Sequence, residues 1–217
     1  MNIFAVMYFD AHTHNVSAGR NSVIQSSGEV ISEGFFSIGI HPWHVEQWMD
    51  EIDIITSLAQ NKHCIAIGET GLDKHVTKDL SQQLRAFEAQ INLSEELELP
   101  MILHCVRSWP EVLDLRKRVK PKQKWIFHGF SKNGLLKEVL KENILLSFGK
   151  ALISGNQLGE TLRSVPLEKI LLETDNSEIP IGTIYKKASD LLGTEETLLQ
   201  EIIELNFKQT FTKWHIG

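Results

Sequence analysis

The chain has 217 residues, 42% of them hydrophobic, which suits one domain with a substantial core. The formal net charge of −6 argues against a broad basic surface for nucleic acid, though bound metal ions would supply local positive charge for an anionic substrate. Two cysteines, Cys64 and Cys105, make no disulfide framework, and no stretch reaches membrane-spanning length, so one domain over residues 1–217, free thiols, no membrane partner and a reducing, cytoplasmic setting are expected.

Short apolar runs recur along the chain, and several end in metal-capable residues. Ile3 to Phe9 reads as a buried strand leading into Asp10-Ala11-His12-Thr13-His14. Alternate strand residues share a face, so Asp10, His12 and His14 project together, and two imidazoles at that spacing reach one divalent ion. A weak strand follows at Ser22 to Ser26. Phe35 to Ile40 runs into Gly39-Ile40-His41-Pro42-Trp43-His44, and Cys64 to Ile67 into Gly68-Glu69-Thr70-Gly71-Leu72-Asp73. Met101 to Leu103 leads into His104-Cys105-Val106-Arg107, and Trp125 to Phe127 into His128-Gly129-Phe130-Ser131. Ile144 to Phe148 leads into Gly149-Lys150, and Ile170 to Leu172 into Glu173-Thr174-Asp175.

Apolar residues at helical spacing fill most of the gaps: Val45 to Ala59, Leu80 to Leu99, Val112 to Val119 and Leu135 to Leu140. Strand and helix in alternation predict a parallel α/β protein, and without a glycine-rich dinucleotide turn after the first strand a closed barrel is favoured. Too few residues lie between His14 and Phe35 for ordinary helices. The barrel is therefore expected to be degenerate near residues 15–34, with one or two outer helices missing. Its uncovered wall would be a candidate surface for a homo-oligomer.

In such a barrel the functional side chains gather at the carboxyl ends of the strands. Those ends carry His12, His14, Glu69, His104, His128 and Asp175, a nitrogen and carboxylate set that suits Zn, Mn, Mg or Fe. Six ligands exceed one tetrahedral site and fit two ions, with Glu69, on a middle strand, as the bridge. A metal-bridged water would be the nucleophile, and Asp175 would serve as ligand and as base. Asp10 is expected behind the ligands, orienting an imidazole. His41 is a candidate hydrogen-bond partner for a substrate phosphate and Arg107 a candidate bidentate one. Trp43 and Trp109 are better read as packing residues than as stacking platforms. The basic run Arg116 to Lys124 falls on the face opposite the strand ends and reads as a solvated helix end.

The stretches DAHTH (10–14), GIHPWH (39–44), AIGETGLD (66–73), LPMILHCVR (99–107), FHGFS (127–131) and LLETD (171–175) resemble, in the same order, the TatD family of metal-dependent hydrolases. The resemblance implies a (β/α)8 TIM barrel with one or two divalent metals and phosphodiester hydrolysis, typically as a deoxyribonuclease. It implies that His12 and His14 hold one metal, His104 and His128 the second, and that Glu69 bridges, with Asp175 as ligand and base. The chain departs from the family in being shorter near residues 15–34. It also has Asn176-Ser177-Glu178 after Asp175, and a compressed segment after Pro180. Two other functions stay open. One is an amidohydrolase of a small cyclic amide or ester, which a narrow apolar rim would favour over a groove of Arg and Lys. The other is a non-catalytic metal-binding module.

Overall fold

The computed structural model describes residues 7–77, 79–154 and 157–214. Eight parallel strands follow one another in chain order around a single sheet. They are β1 (Asp10–Thr13), β2 (Ser22–Gln25), β3 (Phe35–Ile38), β4 (Cys64–Asp73), β5 (Met101–Val106), β6 (Trp125–Phe127), β7 (Leu145–Phe148) and β8 (Ile170–Leu172). A parallel bridge between Thr13 and Asp175 brings the last strand back to the first. There the His14 amide donates to the Asp175 carbonyl at 3.0 Å and the Asp175 amide to the His12 carbonyl at 2.9 Å. The strands are buried along nearly their whole length, as expected for a parallel sheet covered on both faces.

The helices are α1 (Trp48–Ala59), α2 (Ser81–Leu97), α3 (Trp109–Val119), α4 (Leu136–Lys141), α5 (Ala151–Ser154), α6 (Gln157–Arg163), α7 (Ile181–Leu192) and α8 (Glu196–Thr210). Neither β1–β2 nor β2–β3 is joined by a helix, so both expected outer helices are missing. The barrel wall there is nevertheless covered. Val23, Ile24, Phe36 and Ile38 are buried. Trp214, just past α8, packs its ring 5.3 Å from Phe9 and 6.2 Å from Phe35 (between centroids), and its indole N–H donates to the Arg20 carbonyl at 2.9 Å. The apolar side chains of β2 and β3 are thus buried, and Trp214 packs at the amino ends of the first three strands.

Two boundaries differ from the sequence expectation. Residues 3–6 of the first apolar run lie outside the described residues, and Met7 to Phe9 form no strand; β1 is the histidine motif itself. β4 continues through the motif to Asp73, keeping Glu69 and Asp73 inside the sheet. The basic run follows the expected placement. It closes α3 and leads into β6, at the amino ends of the strands. Arg116 donates to the Glu142 carbonyl at 2.7 Å and lies over Trp125, and Arg118 pairs with Glu88. Cys64 is free, and burial pushes its thiol up to about 12, so it is a packing residue.

Candidate metal centre

The six predicted residues converge at the carboxyl ends of the strands, around Glu69. One carboxylate oxygen, Oε1, lies 2.8 Å from His104 Nδ1 and 2.8 Å from His128 Nε2. The other, Oε2, lies 3.4 Å from His12 Nε2 and 3.5 Å from His14 Nε2. Asp175 Oδ1 sits 3.8 and 3.7 Å from the same two imidazole nitrogens. Asp175 takes a left-handed backbone (φ 55°) beside the bridge to Thr13, a conformation that aspartate tolerates better than most residues.

The residues fit a divalent ion on the β1 side. His12 is wholly buried, and neither of its ring nitrogens makes a hydrogen bond among the described residues. A buried imidazole without a partner is costly unless something coordinates it. An ion with tetrahedral ligands at about 2.1 Å has ligand-to-ligand edges of about 3.4 Å, and the His12 and His14 nitrogens stand at that spacing from Glu69 Oε2. His104 and His128 instead stand at hydrogen-bond distance from Oε1, closer than two ligands of one tetrahedral ion. Three groups bring ligand atoms within 4.8 Å of one another: His12, His14 and Glu69; His12, His128 and Asp175; His41, Glu69 and His104.

His41 thus stands in one of the groups able to hold an ion, its Nε2 lying 3.2 Å from Glu69 Oε1, where the sequence suggested only a phosphate contact. The charges follow from these contacts. Burial alone would raise the Glu69 carboxyl, but the imidazoles of His104, His12, His128 and His14 gathered around it hold it far below the usual range. His14 is raised, chiefly by its hydrogen bond to Glu69. Burial works against the charge on His128, yet Glu173 and Glu69 on its two sides raise its pKa well above the ordinary value.

Asp10 does not orient an imidazole ring, contrary to expectation. Its Oδ1 accepts the Thr174 amide at 3.0 Å, its Oδ2 accepts the Thr174 hydroxyl at 2.6 Å, and the His12 amide lies at 3.4 Å. It clasps the end of β8 to β1 and so holds the residue next to Asp175. Burial pushes its carboxyl up to about 7. Arg107 is exposed, with a left-handed backbone (φ 54°), and makes no side-chain hydrogen bond or ion pair among the described residues. It does not line the cleft over the cluster. Trp109 packs on Phe127 and Phe130 as a core residue.

Two carboxylates behind the cluster escaped the sequence reading. Asp73 Oδ2 lies 2.9 Å from His104 Nε2 and accepts the Trp43 indole N–H at 2.7 Å. The fully buried Glu173 accepts the Gly129 amide at 2.6 Å and stands 3.7 Å from His128 Nδ1. Each backs one imidazole of the second pair, the arrangement that fixes ring orientation at metal sites. The signal for Asp73 was its even spacing from Glu69, which puts both on one face of a strand. Glu173 lies next but one to Asp175 and was legible in the same way.

A parallel barrel with a histidine and carboxylate cluster at the carboxyl ends of its strands defines the class. The model of the TatD related DNase family matches residues 11–212, and the chain belongs to that family. A protein named 3'-5' ssDNA/RNA exonuclease TatD from Erwinia tasmaniensis is 33% identical over 144 residues, 63% of this chain and 56% of that protein. An uncharacterized metal-dependent hydrolase from Buchnera aphidicola is 29% identical over 166 residues, 73% of this chain and 63% of its own length. The chain thus spans little more than half the length of the exonuclease it matches. Among solved structures, a TatD homologue from Escherichia coli K12 superposes with a TM-score of 0.75 at 16% identity, covering 94% of this chain and 98% of that one. A TatD family hydrolase from Entamoeba histolytica gives 0.73 at 18% identity, covering 85% and 76%. Both share the fold.

Proposed function

We propose that residues 1–217 form one divalent-metal-dependent hydrolase domain that cleaves phosphodiester bonds, as a deoxyribonuclease or a phosphodiesterase of that type. The observation that carries the reading is the division of labour at Glu69, one oxygen facing His12 and His14 and the other facing His104 and His128. We assign His12, His14 and Asp175 to a first ion, His104 and His128 to a second, and Glu69 to both. Bound ions of this kind lower the pKa of a water and offset charge on the transferring phosphoryl group. Asp175, at the mouth of the cluster, accepts the proton of the attacking water, and His41 meets a substrate oxygen or completes the second set. The identity of the ion among Zn, Mn, Mg and Fe is a question for metal analysis. Among the described residues no helix is long and apolar enough to cross a membrane, and two free cysteines support a cytoplasmic setting.

Metal analysis and calorimetric titration test this. The spacing of the β1 side predicts one ion bound tightly and a second bound more weakly, after His104 and His128 draw back from Glu69 to ligand spacing. Glu69→Ala should lose both, with turnover falling by at least about 100-fold. Asp175→Asn should reduce metal-dependent diester hydrolysis by about 100-fold or more while the second pair keeps its ion. Near-normal turnover in Asp175→Asn would remove the base assignment. A second reading, hydrolysis of a small cyclic amide or ester, is favoured by one observation, the apolar rim of Val16, Trp43 and Ile54. A panel of amide and ester substrates run beside the diesters separates the two.

A further inference from the structure

The cleft over the cluster has a volume of about 880 Å³, within the usual range for a small-molecule site. One wall comes from the short loops that replace the missing helices, including Val16 and the segment Ser26–Gly28; the other comes from Trp43 and from α1, including Glu51, Ile54 and Ile55. Val16, Trp43 and Ile54 are 68%, 50% and 59% exposed, so three of the chain's large exposed apolar side chains gather at one mouth. Trp43 is tied to the cluster through Asp73, whose other partner is His104. Among the described residues no Lys or Arg lines this cleft, and its charged side chains beyond the histidines are Glu51, Glu69 and Asp175.

Of the cations that follow the strands, Lys74 pairs with Glu111 and Arg107 is absent from the lining, while the Lys150 ammonium donates to the side chain of Asn176 on the far rim of the cleft. The basic cluster of Arg116, Lys117 and Lys120 lies beyond the amino ends of the strands. A polynucleotide tract binds mainly by having its successive phosphates neutralised, and that neutralisation makes its affinity fall steeply with salt. Along the wall of Val16, Trp43 and Ile54, a phosphate one unit away from the metal centre would meet Glu51 or apolar side chains and, among the described residues, no Lys or Arg.

Resting on the phosphodiester reading above, we infer that this cleft takes a short phosphodiester. One terminal nucleoside unit lies against Val16, Trp43 and Ile54, and along that wall no described Lys or Arg holds a phosphate beyond the scissile one. A long strand is then only an end-bearing version of the same ligand. Affinity comes from the metal centre and from the burial of one base on an aromatic and aliphatic wall, which is insensitive to sequence.

Calorimetric titration of the metal-loaded protein with a phosphorothioate dinucleotide and a long phosphorothioate strand tests this, each over about a fourfold range of salt. Equal affinities per strand end, within about threefold, and a nearly flat salt response are expected. A strand that binds much more tightly than the dinucleotide and loses roughly 20-fold over that range, as three phosphate contacts would dictate, overturns the inference. Ile54→Lys, at an exposed helical site, should install what the cleft lacks: affinity that grows with strand length and a salt slope steeper by about 0.7. If this variant leaves both unchanged, Ile54 is not on the path of the strand and the inference also falls. Bis(4-nitrophenyl) phosphate tests the underlying reading separately. No metal-dependent turnover of it removes the phosphodiester assignment, with the binding arms still deciding how the cleft meets a strand. Turnover together with a steep salt slope removes only the short-substrate inference.

Discussion

At the scale of single residues, the carboxylates divide into those facing the cluster and those that hold it in shape. Asp10 is the clearest of the second kind. It sits two residues from a candidate ligand, yet both its oxygens are spent on Thr174, which precedes Asp175. Asp10→Ala would leave the buried Thr174 amide without an acceptor and the Thr174 hydroxyl with only that of Thr13, a loss of about 2 kcal/mol, or about 4–8 °C in melting temperature for a domain of this size. Asp10→Asn keeps one acceptor and should recover a good part of that loss. Thermal melts of the metal-free proteins check the order; equal melting of wild type and Asp10→Ala would mean the clasp contributes nothing. Asp73 and Glu173 stand behind His104 and His128 in the same way, as charge partners that keep each ring turned toward Glu69.

At the scale of elements, β4 decides most of the site. The sequence shows its first four residues as an apolar run, but the polar stretch that follows looks like a loop. The chain stays in the sheet through Asp73 because Gly68 and Gly71 allow β4 and β5 to touch. A Cβ on Gly71 would stand 2.1 Å from the His104 carbonyl oxygen, and the residue's φ of 137° is one that other side chains rarely adopt. Gly71→Ala therefore forces apart the two strands carrying Glu69 and His104. It should reduce stability by at least about 3 kcal/mol, or about 6 °C and more, with a matching loss of metal affinity. A variant that melts within a few degrees of wild type would show that β4 and β5 can separate freely. The apolar periodicity made seven strand positions, the first helices and all six clustered residues legible. It could not show how far a strand continues once its residues turn polar, because that is fixed by glycine contacts with a neighbour distant in sequence. His41 as a possible ligand was hidden for a related reason: its distance to Glu69 depends on the loop after β3, which Gln90 of α2 holds by bonding both the amide and the carbonyl of Ile40.

At the scale of the whole molecule, the missing helices were readable from simple arithmetic on loop length, but their consequence was not. The sequence implied an exposed wall over β2 and β3. The fold instead buries those strands and packs Trp214 at their amino ends, through long-range contacts among Trp214, Phe9, Phe35 and Phe207 that no local pattern records. Trp214 is thus both a core residue and the cover of a surface that would otherwise be adhesive. Truncating a large buried aromatic lowers stability by about 3–5 kcal/mol, and this site, on the last stretch of described chain, belongs at the lower end. Trp214→Ala should therefore melt about 6–12 °C below wild type. It should also expose Phe9 and Phe35 as a continuous apolar face, so light scattering should detect association that rises with protein concentration. The second readout separates a cover from an ordinary core residue. A variant that is destabilised but strictly monomeric would mean that the wall stays closed without Trp214. Association without a fall in melting temperature would mean that the indole shields the wall but adds little to the core.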